Sequence, residues 1–195
     1  MSAPAFYDEL RALRLERLLD ASVAIITEEG WDRLSMTKVA QRSGVPRQSL
    51  YKEVGTKSEL GAAVVHREVG RFLTGVRAGI AAHPDSVADG LAAAARFALE
   101  YGETNAVLKV ILRPGHDPEL LELLTVRPDV LEQVVQAVLD ALGHPRAGTD
   151  ARVVAARVAM VDSMVRLTLS HLLQPTVGID EAVDRITHTV HGFPS

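Results

Sequence analysis

Apolar residues recur along this chain three and four positions apart, and no stretch alternates polar with apolar as a half-buried strand would. Residues 8–29 read as a helix, with Leu10, Leu13, Leu18, Val23 and Ile26 near helical spacing and Arg11, Arg14 and Arg17 on other faces. Gly30 ends it. Residues 57–82 read as one long helix, its buried stripe formed by Leu60, Val64, Val69, Phe72, Leu73 and Val76. His83-Pro84 breaks the chain there, and Asp85 or Ser86 caps the next helix. Further helices are expected over about 86–103, 105–112, 117–125, 128–142, 150–174 and 179–191, separated by proline and glycine punctuation. The predicted fold is all-α.

Between the first and the long helix, Ser35 to Tyr51 packs two short helical patterns around a glycine, the construction of a helix-turn-helix. Ser35 is a good N-cap, because its hydroxyl accepts from a backbone N–H that the first turn leaves free. Val39 and Ala40 fall on the inner face of the first short helix, and Thr37, Lys38, Gln41 and Arg42 on the outer. Gly44 stands where the chain must leave that helix, a position favouring positive φ. Val45 packs into the corner and Pro46 opens the second short helix, where a missing N–H costs nothing. That helix presents Arg47, Gln48 and Ser49 outward and turns Leu50 to the core. Arg and Gln make paired hydrogen bonds to guanine and adenine edges in the major groove, so this element is expected to read DNA.

Charge strengthens that expectation. The 195 residues carry 21 Lys and Arg against 25 Asp and Glu, a net charge of −4. Residues 33–57 nevertheless hold Arg33, Lys38, Arg42, Arg47, Lys52 and Lys57 against one acid, Glu53. A basic patch on an acidic chain is the footprint of a phosphate-binding face. Hydrophobic residues make up 47% of the chain and aromatics 4%, so the core must be built mostly from Ala, Val and Leu. Cysteine is absent, which removes disulfides and thiolate chemistry and fits a cytoplasmic location. No charged-then-apolar signal pattern follows Met1. The apolar stretch from Ala151 to Leu173 is interrupted by Arg152, Arg157, Asp162 and Arg166, which argues against a membrane span.

Residues from about 15 to 61 resemble the N-terminal DNA-binding domain of the tetracycline-repressor (TetR) family of bacterial regulators. The matching positions are Glu29-Gly30-Trp31, Leu34-Ser35, Val39-Ala40, Ser43-Gly44-Val45, Leu50-Tyr51 and Lys57-Ser58-Glu59-Leu60. The resemblance implies a helix-turn-helix DNA-binding domain over residues 1–56 and a helical ligand-binding and dimerisation domain over 57–195. It places Ser35, Thr37, Lys38, Arg47, Gln48 and Ser49 at base edges or nearby phosphates, and Tyr51 and Lys57 at the DNA backbone. Two departures stand out. Glu53-Val54 replaces the aromatic pair usual there, which brings a negative charge near phosphates and fills less space. Pro46 replaces a small polar residue.

The same resemblance implies an apolar effector cavity among the C-terminal helices. Candidates are Phe97, Tyr101, Leu108, Ile111, Leu121, Leu124, Met160, Met164 and Leu167, with Asn105, His116 and His171 as polar contacts. Few oriented polar groups in an apolar pocket suit a small hydrophobic effector. Ala155, Ala156 and Ala159 let helices approach closely, and Val154, Val158, Val161, Val165, Leu169 and Leu172 run along the same long helix. That surplus of apolar surface points to a homodimer, and paired reading helices would fit a two-fold operator. Catalysis finds little support, since neither a serine elbow nor a glycine-rich phosphate loop occurs. His171, His188 and His191 do not complete a metal-ligand set, and no cofactor is expected.

The expected protein is a ligand-responsive regulator, a repressor that binds a palindromic double-stranded DNA operator and is released by its effector. The alternative is a helical interaction protein of the same fold that reads no specific DNA. Steep weakening of DNA binding by salt separates the two.

Overall fold

The computed structural model describes residues 3–111, 128–144 and 148–191, and among them there is no strand. The order is α1 (Ala3–Glu29), a single 3-10 turn (Trp31–Arg33), α2 (Met36–Ser43), α3 (Arg47–Val54), α4 (Lys57–Ala81), α5 (Val87–Thr104), α6 (Ala106–Ile111), α7 (Pro128–Ala141), α8 (Ala151–Leu173) and α9 (Ile179–His191). The helix expected over 117–125 lies outside the described residues. The chain divides into two compact units, and the division falls within α4, after Glu68. One unit holds α1 to α3, the first turns of α4, and α6. The other holds the rest of α4 with α5, α7, α8 and α9.

In the first unit α1 packs on α2, α3, the 3-10 turn and α6. Leu18, Ile25, Ile26, Val39, Leu50, Leu60, Val64 and Val107 are its fully buried large side chains, with Trp31, Leu34 and Val45 close behind. The apolar seam of α1 is therefore Leu18, Leu19, Ile25 and Ile26. Leu13, expected on that seam, is 56% exposed. Periodicity placed it on the right helix but cannot tell how far along the helix its partners extend. On α4, Leu60, Val64 and Val76 are buried as expected, whereas Val69, Phe72 and Leu73 are half-buried.

The second unit is built around α5. Its alanines Ala94, Ala95 and Ala98 are nearly or fully buried, so α9 and α8 pack closely against it. Val76, Ile80, Leu91, Leu99, Val138, Val161, Met164, Val165, Ala182, Val183 and Ile186 complete the core. Small side chains on one helix let neighbouring backbones approach and bury aliphatic residues from both sides. Ser86 caps α5 by accepting from the Asp89 N–H at 3.2 Å, and Asp150 caps α8 by accepting from the Arg152 N–H at 2.7 Å.

Candidate nucleic-acid interface

The helix-turn-helix closes through several polar contacts. Ser35 Oγ accepts from the Lys38 N–H at 3.3 Å, so α2 begins at the cap its sequence predicts. Gly44 adopts φ 67°, the left-handed conformation that ends α2 without steric cost. Arg17, on α1, donates from Nη2 to the Ser43 carbonyl at 2.6 Å. That bond satisfies a carbonyl the helix end leaves free and puts a cation at the negative end of the dipole. Ser43 Oγ accepts from the Val45 N–H at 3.2 Å, and Val45 is buried in the corner. Pro46 takes the N-cap of α3, one position before the helix, and its carbonyl accepts from the Leu50 N–H at 3.0 Å.

With Leu50 at 0% exposure and Val54 also buried, α3 has a fixed inner face. Arg47, Gln48, Tyr51 and Lys52 are exposed on the other side and Ser49 is half-buried. Thr37 is exposed in the first turn of α2 and Ser35 just before it. On α3, Arg47, Gln48 and Tyr51 therefore stand on the side away from Leu50 and Val54.

The basic patch is narrower than the sequence window implies. Arg42 forms a two-pronged pair with Glu28, at 2.6 and 2.5 Å. This pair holds the Glu28 carboxyl below its ordinary range and raises the guanidinium of Arg42, in each case chiefly through the shared hydrogen bonds. Lys38 pairs with Glu29 at 2.5 Å. Both acids lie at the end of α1, outside the 33–57 stretch, and α1 brings them back against α2. Among the described residues Arg33, Arg47, Lys52 and Lys57 have no carboxylate partner, and two of these four cations, Arg47 and Lys52, lie on α3.

Glu53 is not a bare charge facing phosphates. Arg11 Nε donates to its Oε2 at 2.7 Å and Arg14 Nη1 lies 3.8 Å from its Oε1, with the Glu53 side chain only 11% exposed. Two α1 guanidinium groups neutralise this carboxylate and tie α3 to α1. Glu53 is thus an ion-paired brace between α3 and α1, and Val54 packs inward beside it.

Lys57 is positioned by two features. Its Nζ sits 4.7 Å from the centroid of the Trp31 ring, a cation–π arrangement. Gly61, one turn on, leaves room for that ring, because a Cβ there would meet Trp31 at 2.2 Å. The start of α4 is set by a capping box that sequence reading passed over. Thr56 Oγ1 accepts from the Glu59 N–H at 3.2 Å, while Glu59 Oε2 accepts from the Thr56 N–H at 2.7 Å and from its hydroxyl at 2.8 Å. These bonds lower the Glu59 carboxyl from its ordinary range. Gly55 makes room, with φ 71° and a hypothetical Cβ only 2.3 Å from Glu59 Oε2. The Thr-x-x-Glu spacing was the available signal. Nothing in the sequence marks Arg17 or Arg11 for their partners 26 and 42 residues away.

The residues expected to form an effector cavity are only partly brought together. Phe97 and Tyr101 join Phe72 in an aromatic cluster, ring centroids 5.5 to 6.1 Å apart. Met164 is buried in the core of the same unit, Met160 and Leu167 pack half-buried against it, and His171 is half-buried on α8. Asn105 closes α5, donating its N–H to the Tyr101 carbonyl at 2.7 Å. Leu108 lies on α6, in the other unit, and α6 ends at Ile111. His116, Leu121 and Leu124 lie outside the described residues. An open groove lined by Leu131, Arg166, Leu169, Ser170, Leu173 and Gln174 includes none of the expected ligand residues.

The apolar positions of α8 divide between two faces. Val161 and Val165 enter the unit's own core, whereas Val153 and Val158 are each 42% exposed, beside exposed Ala155 and Ala159. Among the described residues no cluster of three or more His, Asp or Glu can hold a metal ion, and no helix is long and apolar enough to cross a membrane.

Comparison with known proteins agrees with this architecture. Residues 18–64 match the family model of bacterial regulatory proteins of the tetR family, and residues 86–191 match that of the bacterial tetracyclin repressor C-terminal domain. The HTH-type transcriptional regulator AlkX of Mycobacterium tuberculosis is 24% identical over 115 residues, 59% of this chain and 54% of that protein. The HTH-type transcriptional activator FasR of Mycolicibacterium smegmatis is 34% identical over 64 residues, 33% of this chain and 29% of that protein. The matches thus span about half of the first relative and under a third of the second. The crystal structure of the TetR family repressor AlkX from Dietzia sp. strain DQ12-45-1b superposes with a TM-score of 0.68 at 20% identity, covering 89% of this chain and 91% of that one. The chain belongs to the TetR family: it is a transcriptional regulator with an N-terminal DNA-binding helix-turn-helix and a helical C-terminal domain.

Proposed function

We propose that this regulator is a ligand-responsive repressor, which binds a palindromic operator as a homodimer and is released by a small hydrophobic effector. Residues 1–56 serve as the reading domain and residues 57–195 as the ligand-binding and dimerisation domain, and the protein acts in the cytoplasm. The observation that carries the DNA half is the outer face of α3, where Arg47, Gln48 and Tyr51 stand exposed while Leu50 and Val54 anchor the helix from behind. Arg47 and Gln48 reach base edges; Thr37, Ser35 and Lys57 reach nearby phosphates, and Lys38 joins them by exchanging its Glu29 partner for one. The exposed Val153, Val158, Ala155 and Ala159 support α8 as a dimer face.

An effector works only by binding the released state better than the DNA-bound one. The half-buried aromatic cluster of Phe72, Phe97 and Tyr101, set in the unit whose core is aliphatic, supports an apolar effector. The Dietzia repressor is itself implicated in biodegradation of n-alkanes. Selection of random duplex DNA on the purified protein at near-physiological salt tests the reading. Enrichment of a palindrome is expected. A folded, dimeric protein that enriches no motif overturns it in favour of the interaction-protein alternative.

A further inference from the structure

Arg47 opens α3 and Tyr51 follows one turn later, on the same face of the helix. The two side chains touch. Arg47 Nη2 donates to the Tyr51 hydroxyl at 3.3 Å, a long bond, and the guanidinium carbon lies 5.5 Å from the centre of the Tyr51 ring. Both residues are exposed, and Tyr51 is 44% accessible. No carboxylate among the described residues competes for Arg47. An exposed arginine otherwise samples many rotamers and loses that freedom when it grips a base. A planar guanidinium resting on an aromatic ring is already restricted to a few orientations, and its remaining N–H groups stay free for a bidentate acceptor.

We propose that Tyr51 is a positioning residue for base recognition: its ring and hydroxyl hold the Arg47 guanidinium so that it meets a guanine edge, and Tyr51 thereby sets specificity at that base pair. This differs from a phosphate contact, which adds affinity on every sequence alike. The proposal rests on α3 being the reading helix described above.

The test has one arm without DNA and one with it. In the free protein, the Arg47 Nε–H resonance is expected to carry a ring-current shift that Tyr51→Ala abolishes and Tyr51→Phe largely keeps. An Arg47 resonance that is the same in wild type and Tyr51→Ala overturns the proposal whatever the DNA results. On the selected operator, Tyr51→Ala is expected to lower discrimination at the base pair read by Arg47 by about 2- to 5-fold, matching an exposed cation–π contact. Tyr51→Phe should retain most of that discrimination. In a double-mutant cycle, Tyr51→Ala should have little further effect once Arg47 is Ala. Equal loss on all duplexes, additivity with Arg47→Ala and a salt slope reduced by about one would overturn the proposal and make Tyr51 a phosphate contact. A wild-type protein that enriches no motif is the separate signature of a failed functional reading, and the specificity role falls with it.

Discussion

The two compact units hold themselves together by different means. The DNA-binding unit is laced by polar contacts between residues far apart in sequence. Arg11 and Arg14 hold Glu53, Arg17 holds the Ser43 carbonyl, Arg42 holds Glu28 and Lys38 holds Glu29. Arg67, its side chain only 9% exposed, pairs with Asp20 at 2.8 Å and Glu16 at 3.1 Å. In the second unit, Arg96 pairs with Asp180 at 2.6 Å and Arg157 reaches the Gly143 carbonyl, whereas the Arg166–Asp162 and Arg185–Glu181 pairs lie within single helices. What joins its helices is mainly aliphatic packing on the alanines of α5.

Directional bonds resist rotation of one helix on another, and a reading helix that must meet base edges needs that resistance. Apolar packing has no preferred direction, so it tolerates the repacking that the proposed effector site would require. The difference between the units is thus a difference in what each must keep constant.

The largest expected effect lies in the apolar unit. Leu91→Ala, at a fully buried position on α5, should cost about 2–5 kcal/mol in chemical denaturation. A loss as small as a surface substitution gives would mean that packing is not what holds this unit. Next comes Arg47→Ala, expected to weaken operator binding by about 1–3 kcal/mol while leaving binding to random duplex unchanged. Equal losses on both would reassign Arg47 to the phosphates.

Ser35→Ala removes a long cap bond and should cost about 0.5–1 kcal/mol of thermal stability, with α2 fraying first by hydrogen exchange. Glu53→Gln should lower stability by less than about 1 kcal/mol, since its partners are solvent-exposed arginines. It should not tighten DNA binding at low salt. Tighter binding would show that the carboxylate faces the phosphates despite its two arginines.

The smallest effect is in pH dependence. The carboxyls of Glu28 and Glu59 titrate below their ordinary range when folded, so the unfolded chain takes up protons first as pH falls. Their contribution is complete above the unfolded value, near pH 4.3, and is lost as pH drops through the lower folded values. Urea denaturation from pH 6 to pH 3 should show a loss that Glu59→Gln makes shallower. An identical profile in the variant would show that the capping box adds nothing.

Much of this was legible residue by residue. Ser35, Gly44 and Leu50 each stand where local rules put them, because capping, left-handed backbone and helical period involve only neighbours in the chain. The face of α3 followed from the same period. The candidate effector residues were less legible. Phe97 and Tyr101 do cluster, but Leu108 belongs to the other unit, since spacing along separate helices does not say which helices meet.

Local chemistry was enough to define an all-α chain, several of its helix ends, its helix-turn-helix and most of the side chains α3 shows to solvent, although α1 begins at Ala3 and not at residue 8. Those properties depend on interactions within about one turn, which sequence order alone sets up. Folding in three dimensions decided that Glu53 is braced by α1, that Arg42 and Lys38 spend their charge on Glu28 and Glu29, that Leu13 is left in solvent and that α8 turns Val158 outward and Val161 in. Each of those outcomes depends on which distant residue arrives at a given face, and a one-dimensional pattern carries no record of that arrival.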